Sequence, residues 1–96
     1  MPAYWIAHVT VTDEASYAEY AKRAGPAIAL HGGEFLARGG AHKQIEGRDR
    51  PRNVLIQFAS IAAAEACYNS PEYQEALAFA KGASERDLVI IEALPA

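Results

Sequence analysis

The sequence predicts an α+β fold whose strands and helices follow the order βαββαβ. Four short segments are rich in β-branched and aromatic residues, and the segments between them repeat apolar residues at helical spacing. The sharpest local signal is SPEYQ at residues 70–74, where Ser70 suits the N-cap and Pro71 the first helical position. At 96 residues the chain is expected to form one domain over 1–96.

The first half of the chain predicts a strand, a helix and a second strand. Asp13 is a suitable N-cap, and Tyr17, Tyr20 and Ile28 recur at helical spacing after it. Because proline removes a backbone donor and clashes with the preceding turn, we expect a kink or a restart of the helix at Pro26. The predicted elements are strand 4–11, a helix from about 13 to 31, and strand 34–38 with a continuation at 42–46.

The second half predicts a strand, two helical segments and a last strand. Ser60 is a suitable N-cap for an alanine-rich helix, and Gly82 is a suitable stop for the helix that begins at SPEYQ. The predicted elements are strand 53–59, helices 60–68 and 70–81, and strand 87–94.

The order of these elements matches the ferredoxin-like fold, with a four-stranded antiparallel sheet and helices on one face. The predicted strands are apolar on both sides, and no further helix is available to cover the second face. We therefore expect two sheets to pair in a homodimer, as in a dimeric α/β barrel.

Composition narrows the classes of function. A net charge of −3 disfavours nucleic-acid binding, and no apolar run approaches the roughly 20 residues of a membrane span. The N-terminus shows no secretory signal, so a soluble, cytoplasmic protein is expected. The single cysteine, Cys67, excludes an intramolecular disulfide, and His31 and His42 lack metal-ligand spacing. We expect no metal and no cofactor.

Two polar residues among the predicted strands are candidates for catalysis. His8 can donate or accept a proton near neutral pH, but it can equally be a hydrogen-bonded histidine of the core or dimer interface. Arg38 precedes two glycines at a strand end, where its guanidinium can hold a carboxylate or form an ion pair that closes the bend.

The tyrosines are candidates for ligand binding. Tyr17, Tyr68 and Tyr73, together with Tyr20, can surround a cavity between helices and sheet, each offering an apolar ring and a hydroxyl group. The alternative is that they belong to the core or an interface, as tyrosines at helical spacing usually do. A small anionic or aromatic ligand fits either the tyrosines or Arg38.

Four segments, in this order, resemble one family. YWIAHV at 4–9, GGEFLARGG at 32–40, EG at 46–47 and SPEYQ at 70–74 resemble the DUF1330 family of the dimeric α/β-barrel superfamily. The resemblance implies a homodimer but no particular activity, since the superfamily includes cofactor-independent monooxygenases, lactone isomerases, haem-degrading enzymes and non-catalytic proteins. An arginine often found near the end of the last helix is absent here, where Ala80 and Lys81 stand.

Two hypotheses for function follow. In the first, the protein is a cofactor-independent enzyme with a monooxygenase- or isomerase-like pocket, in which His8 moves a proton and Arg38 holds an anionic group. In the second, it is a non-catalytic dimeric module that binds a ligand or a protein, with the basic turn at 48–52 as a contact.

Overall fold

The computed structural model describes residues 1–95 and contains one antiparallel sheet with helices on one face. The strands lie in the order β2-β3-β1-β4, so the predicted βαββαβ arrangement is confirmed. The elements are β1 Ala3–Val11, α1 Glu14–Leu30, β2 Glu34–Arg38, β3 Arg52–Phe58, α2 Ile61–Tyr68, α3 Pro71–Ala80 and β4 Ser84–Glu92.

Side-chain caps begin all three of these helices. Asp13 accepts a hydrogen bond from the Ser16 amide at 3.2 Å, and Ser60 accepts one from the Ala63 amide at 3.0 Å. Ser70 accepts from the Tyr73 amide at 3.2 Å, as the SPEYQ pattern predicts. These starts were predictable because each cap acts within three residues of itself.

The structure differs from the predicted elements in three main respects. Helix α1 runs without a restart through Pro26, since buried residues on both sides of the proline anchor it to the core. Residues 42–46 form no strand, because the chain leaves the sheet at Gly39, whose φ of 68° turns it away after β2. Strand β4 begins at Ser84, three residues before the predicted start, since it pairs with β1 as far as Val11.

The core lies between the sheet and the helices and is centred on Trp5. The indole Nε1 donates to the Ala64 carbonyl at 3.2 Å, and the ring contacts those of Phe58, Tyr68 and Tyr73. Cys67 is a small packed residue of this core, as expected.

Gly33 closes the turn between α1 and β2 against the core. A Cβ atom at this position would clash with Ile28 Cγ2 and would lie 2.8 Å from Phe58 Cζ. Both neighbours are buried and cannot move aside freely. The turn can therefore approach the sheet this closely only with glycine at position 33.

The opposite face of the sheet carries no helix in the described residues and shows rows of side chains across β3, β1 and β4. One row is apolar and consists of Leu55, Ile6 and Val89. The next row is polar and consists of Asn53, His8 and Asp87. Val89 is 52% exposed, so the apolar row faces solvent in the isolated chain. We call this face of the sheet the open face.

Among the residues that the structure describes, no helix is both long and apolar enough to span a membrane.

Candidate ligand-binding cavity

A cavity of about 250 Å³ lies between α1 and the helix-facing side of the sheet. Small and aromatic side chains form most of its wall, and every strand contributes to it. Its volume is below that of most drug-sized ligand sites, so it suits a small molecule. The lining residues that the following argument uses are Tyr17, Tyr20, Phe35, Arg38, Arg52 and Arg86.

Arg86 is the most constrained polar group of the cavity. Its Nη2 atom donates to the hydroxyl oxygens of Tyr20 at 3.0 Å and Tyr73 at 3.2 Å, and these hydroxyls lie 2.7 Å apart. Its Nε atom is buried and has no hydrogen-bond partner among the described residues. The guanidinium as a whole lines the cavity and is paired with no carboxylate among the described residues, so it is suited to attract an anionic ligand.

The two tyrosines act as neutral hydrogen-bonding groups. Burial, and then the neighbouring Tyr73 hydroxyl, raise the pKa of Tyr20 well above its ordinary value. Burial also raises the pKa of Tyr73. One of the two hydroxyl protons bridges the pair, and the other is free to be donated elsewhere. Tyr20 lines the cavity, so it can donate this proton to a bound molecule.

The predicted ligand-binding tyrosines occupy three different positions. Tyr17 lines the cavity. Tyr73 is fully buried behind it and acts through its hydroxyl contacts with Tyr20 and Arg86. Tyr68 packs edge-on against Trp5 and lies outside the cavity, beside a separate surface groove.

The two predicted catalytic residues do not meet within one chain. Arg38 lines the cavity, with its guanidinium 4.3 Å above the centre of the Phe35 ring. It forms no ion pair with the residues described, so the bend is not closed in that way. His8 lies on the open face, where its Nδ1 is 2.6 Å from Asn53 Oδ1. Arg38 and His8 therefore lie on opposite faces of the sheet and cannot contact the same bound molecule within one chain.

The basic turn at 48–52 is divided between the two faces. Arg50 is buried against the open face, where its Nε donates to Asp87 at 2.9 Å and its Nη1 to Thr10 at 3.0 Å. Arg52 instead lines the cavity. Two of the three arginines of this turn are therefore engaged with the sheet and do not form a free basic patch.

Arg86 and Arg52 were missed as site residues. Arg86 precedes the predicted start of the last strand, and Arg52 was assigned to the turn. Side chains two residues apart on a strand face the same side of the sheet, and this gives a signal for both arginines. Arg86 shares a face with Leu88 and Ile90, and Arg52 shares a face with Val54 and Ile56. Within residues 1–95, no group of three His, Cys, Asp or Glu side chains is arranged to hold a metal ion.

Solved structures of low sequence identity share this fold. A protein of unknown function from Rhodopseudomonas palustris is 19% identical, with a TM-score of 0.81 over 99% of this chain and 84% of that one. SnoaB, a cofactor-independent oxygenase from Streptomyces nogalater, is 13% identical, with a TM-score of 0.68 over 99% and 95%. A dimeric ferredoxin-like protein of unknown function from Jannaschia sp. CCS1 is 15% identical, with a TM-score of 0.67 over 97% and 100%.

At these identities the likeness establishes the fold and leaves the chemistry open. Among curated proteins, none matches the chain. The family model described as domain of unknown function DUF1330 matches residues 2–94, nearly the whole sequence, and the resemblance noted in the sequence is confirmed. The chain therefore belongs to the DUF1330 family.

Proposed function

We propose that this protein binds a small organic anion with an apolar or aromatic body in the cavity between α1 and the sheet. The observation that carries the proposal is the Arg86 guanidinium, which lines the cavity and is paired with no carboxylate among the described residues. A carboxylate can pair with this guanidinium and accept from the Tyr20 hydroxyl when Tyr73 donates the proton shared by the two phenols, and a charge-assisted hydrogen bond is stronger than a neutral one. The surrounding aromatic wall suits the rest of the molecule.

The lining of the cavity favours binding over acid–base catalysis. It includes neither a carboxylate nor a histidine, and the raised pKa of Tyr20 makes that phenol a poor base. Conversion of the bound anion without a cofactor is the second candidate. The observation that favours it is that Arg86 and Tyr20 can donate to negative charge that develops on a substrate oxygen. A catalytic role of His8 stays a prediction.

We infer that the functional unit is a homodimer paired through the open face. The apolar row of Leu55, Ile6 and Val89 would be covered by the same row of a second copy. The Jannaschia relative, which is described as dimeric, supports this pairing. The cavities lie on the opposite side of each sheet, so both would stay accessible in such a dimer.

Binding can be tested by calorimetry with phenylacetate and its uncharged match, phenylacetamide. We expect the wild-type protein to bind the acid at least tenfold more tightly than the amide, because only the acid pairs with Arg86. Arg86→Gln should remove this preference for the acid. Arg86→Lys should keep part of it, since lysine retains the positive charge but lacks the planar N–H donors of a guanidinium. Mass spectrometry of the same mixtures reports whether either compound is converted.

The matched control is Arg23→Gln, which alters an exposed arginine of α1 paired with Glu19 outside the cavity. It should bind both compounds as the wild type does. Equal affinity of the wild type for acid and amide would contradict the proposal, as would undiminished acid binding by a folded Arg86→Gln variant.

A further inference from the structure

Three guanidinium groups line one small cavity, and none of them is neutralised by the described residues. Arg38, Arg52 and Arg86 all line the cavity. The ion pairs of the described residues involve Arg23, Arg50, His31 and His42 instead. Within residues 1–95, no aspartate or glutamate lines the cavity. Three positive charges so close together repel one another, so this arrangement favours more than one negative charge from a ligand.

Aromatic rings, and not carboxylates, hold the three guanidiniums. The Arg38 guanidinium lies 4.3 Å from the centre of the Phe35 ring, and that of Arg86 lies 4.8 Å from the centre of the Tyr20 ring. The Arg52 guanidinium lies 5.9 Å from the centre of the Tyr17 ring. A cation–π contact orients a guanidinium without neutralising its charge, so an anion can still pair with it.

The sheet register places two of these arginines on either side of one residue. Val9 of β1 pairs with Arg52 of β3 and with Arg86 of β4, so the three form a single row on the helix-facing side. The backbones of Arg52 and Arg86 are two strand spacings apart, a distance of about 10 Å. Arg38 of β2, opposite Val54, lies farther toward the β2 edge on the Arg52 side.

Gly39 gives the Arg52 side chain the room it needs at this end. A Cβ atom at position 39 would lie 2.9 Å from Arg52 Nη1, and the φ of 68° there also favours glycine. The cavity therefore has a positive group at each end of the Val9 row, with an apolar and aromatic region between them.

We propose that the preferred ligand is an organic dianion whose two anionic groups lie at opposite ends of an apolar body. This rests on the proposed function and specifies its ligand class. One anionic group pairs with Arg86 and the Tyr20 hydroxyl. The other pairs with Arg52, supported by Arg38. Arg52 contributes more than Arg38, because Arg38 is exposed and its interactions are screened by solvent.

The test compares three compounds that differ in the second anionic group. They are 4-carboxyphenylacetate, with two carboxylates across a ring, its ring amide 4-carbamoylphenylacetate, with one, and phenyl phosphate, with both charges on one group. We expect the dicarboxylate to bind the wild-type protein at least tenfold more tightly than the other two by calorimetry. Arg52→Gln should remove this advantage by weakening the dicarboxylate more than it weakens 4-carbamoylphenylacetate, whereas Arg86→Gln should weaken both compounds.

Arg38→Gln should reduce the advantage of the dicarboxylate by less than Arg52→Gln does, and Arg23→Gln should leave it unchanged. Equal binding of the dicarboxylate and its ring amide would overturn the dianion proposal while the proposed function stands. Phenyl phosphate that binds as tightly as the dicarboxylate would also overturn it, because both charges would then lie at one end. If none of the three compounds binds while phenylacetate does, the dianion proposal fails and the proposed function stands; if phenylacetate does not bind either, both fail.

Discussion

At the scale of single residues, burial raises the pKa of Tyr20, Tyr73 and Cys67. Tyr20 and Tyr73 are held as neutral phenols, which suits hydrogen bonding to an anion and to Arg86. Burial, and then the nearby Glu72 carboxylate, raise the pKa of Cys67 to about 11, from an ordinary value of 9.0. The thiol is therefore a packing group of the core at neutral pH, and it is a poor nucleophile there.

The raised pKa of Cys67 predicts a loss of stability in alkaline solution. The unfolded chain releases the thiol proton at a lower pH than the native protein, so this contribution is fully present below about pH 9 and is lost as pH rises toward 11. Cys67→Ala should lower the free energy of unfolding at pH 7 by about 1 kcal/mol. It should then lose less stability than the wild type between pH 8.5 and 10, measured by urea unfolding.

Tyr20→Phe is the control for this experiment, because phenol ionisation in the unfolded chain affects stability only around pH 10 and above. In the lower part of the range from pH 8.5 to 10, the free energy of unfolding of Tyr20→Phe should change with pH as that of the wild type does. Parallel pH dependence of the wild type and Cys67→Ala would show that the thiol does not contribute.

At the scale of elements, Ser70 joins α2 to α3. Its hydroxyl donates to the Cys67 carbonyl at the end of α2, at 2.7 Å, and accepts from the Tyr73 amide at the start of α3. The same turn positions the Tyr73 side chain, whose hydroxyl contacts Arg86. The cap therefore connects a backbone junction to the wall of the cavity.

Replacement of Ser70 tests the strength of this junction. Ser70→Ala removes the cap of α3 and leaves the Cys67 carbonyl without this donor in a buried turn, so it should destabilise the protein by about 1 to 2 kcal/mol in urea unfolding. Ser60→Ala, which removes only the half-buried cap of α2, is the matched comparison and should cost less. A smaller effect at Ser70 than at Ser60 would contradict this account.

The elements also show what local sequence can and cannot predict. Caps and periodicity predicted the helices and most of the strands, because these signals act over a few residues, and the order of the elements then indicated the ferredoxin-like fold. The start of β4 depends on its pairing with β1, which is distant in the sequence. The residues Ser84, Glu85 and Arg86 are too polar to be predicted as a strand on their own. Arg86 was missed for that reason, whereas Tyr17 and Arg38 lie inside predicted elements, were named as candidates and line the cavity.

At the scale of the whole molecule, the two faces of the sheet present different side chains. Trp5, Ala7 and Val9 of β1 face the helices and line the cavity, whereas Ile6 and His8 face the opposite way. A strand can serve both faces because its side chains alternate. The proposed ligand site and the inferred dimer interface thus share β1 without sharing side chains.

The open face gives a direct test of assembly. We expect sedimentation of the wild-type protein at micromolar concentration to show a dimer. Val89→Asp should give a folded monomer, because a buried unpaired carboxylate at the interface is costly while the same group is solvated in the isolated chain. Leu30→Asp alters a residue of α1 that is 68% exposed and lies away from the open face, and it should stay dimeric. A wild-type monomer, or a dimeric Val89→Asp variant, would rule out this interface.

Gly33 does not line the cavity, yet it packs against a residue that does. Ile28 lines the cavity on one side and lies against the turn at Gly33 on the other. Because a Cβ atom at position 33 would overlap Ile28, a larger residue there would require Ile28 or the turn to shift, and a shift of Ile28 would change the shape of the cavity. The shape of the proposed ligand site therefore depends on the clearance at one turn outside it, as well as on the residues that line it.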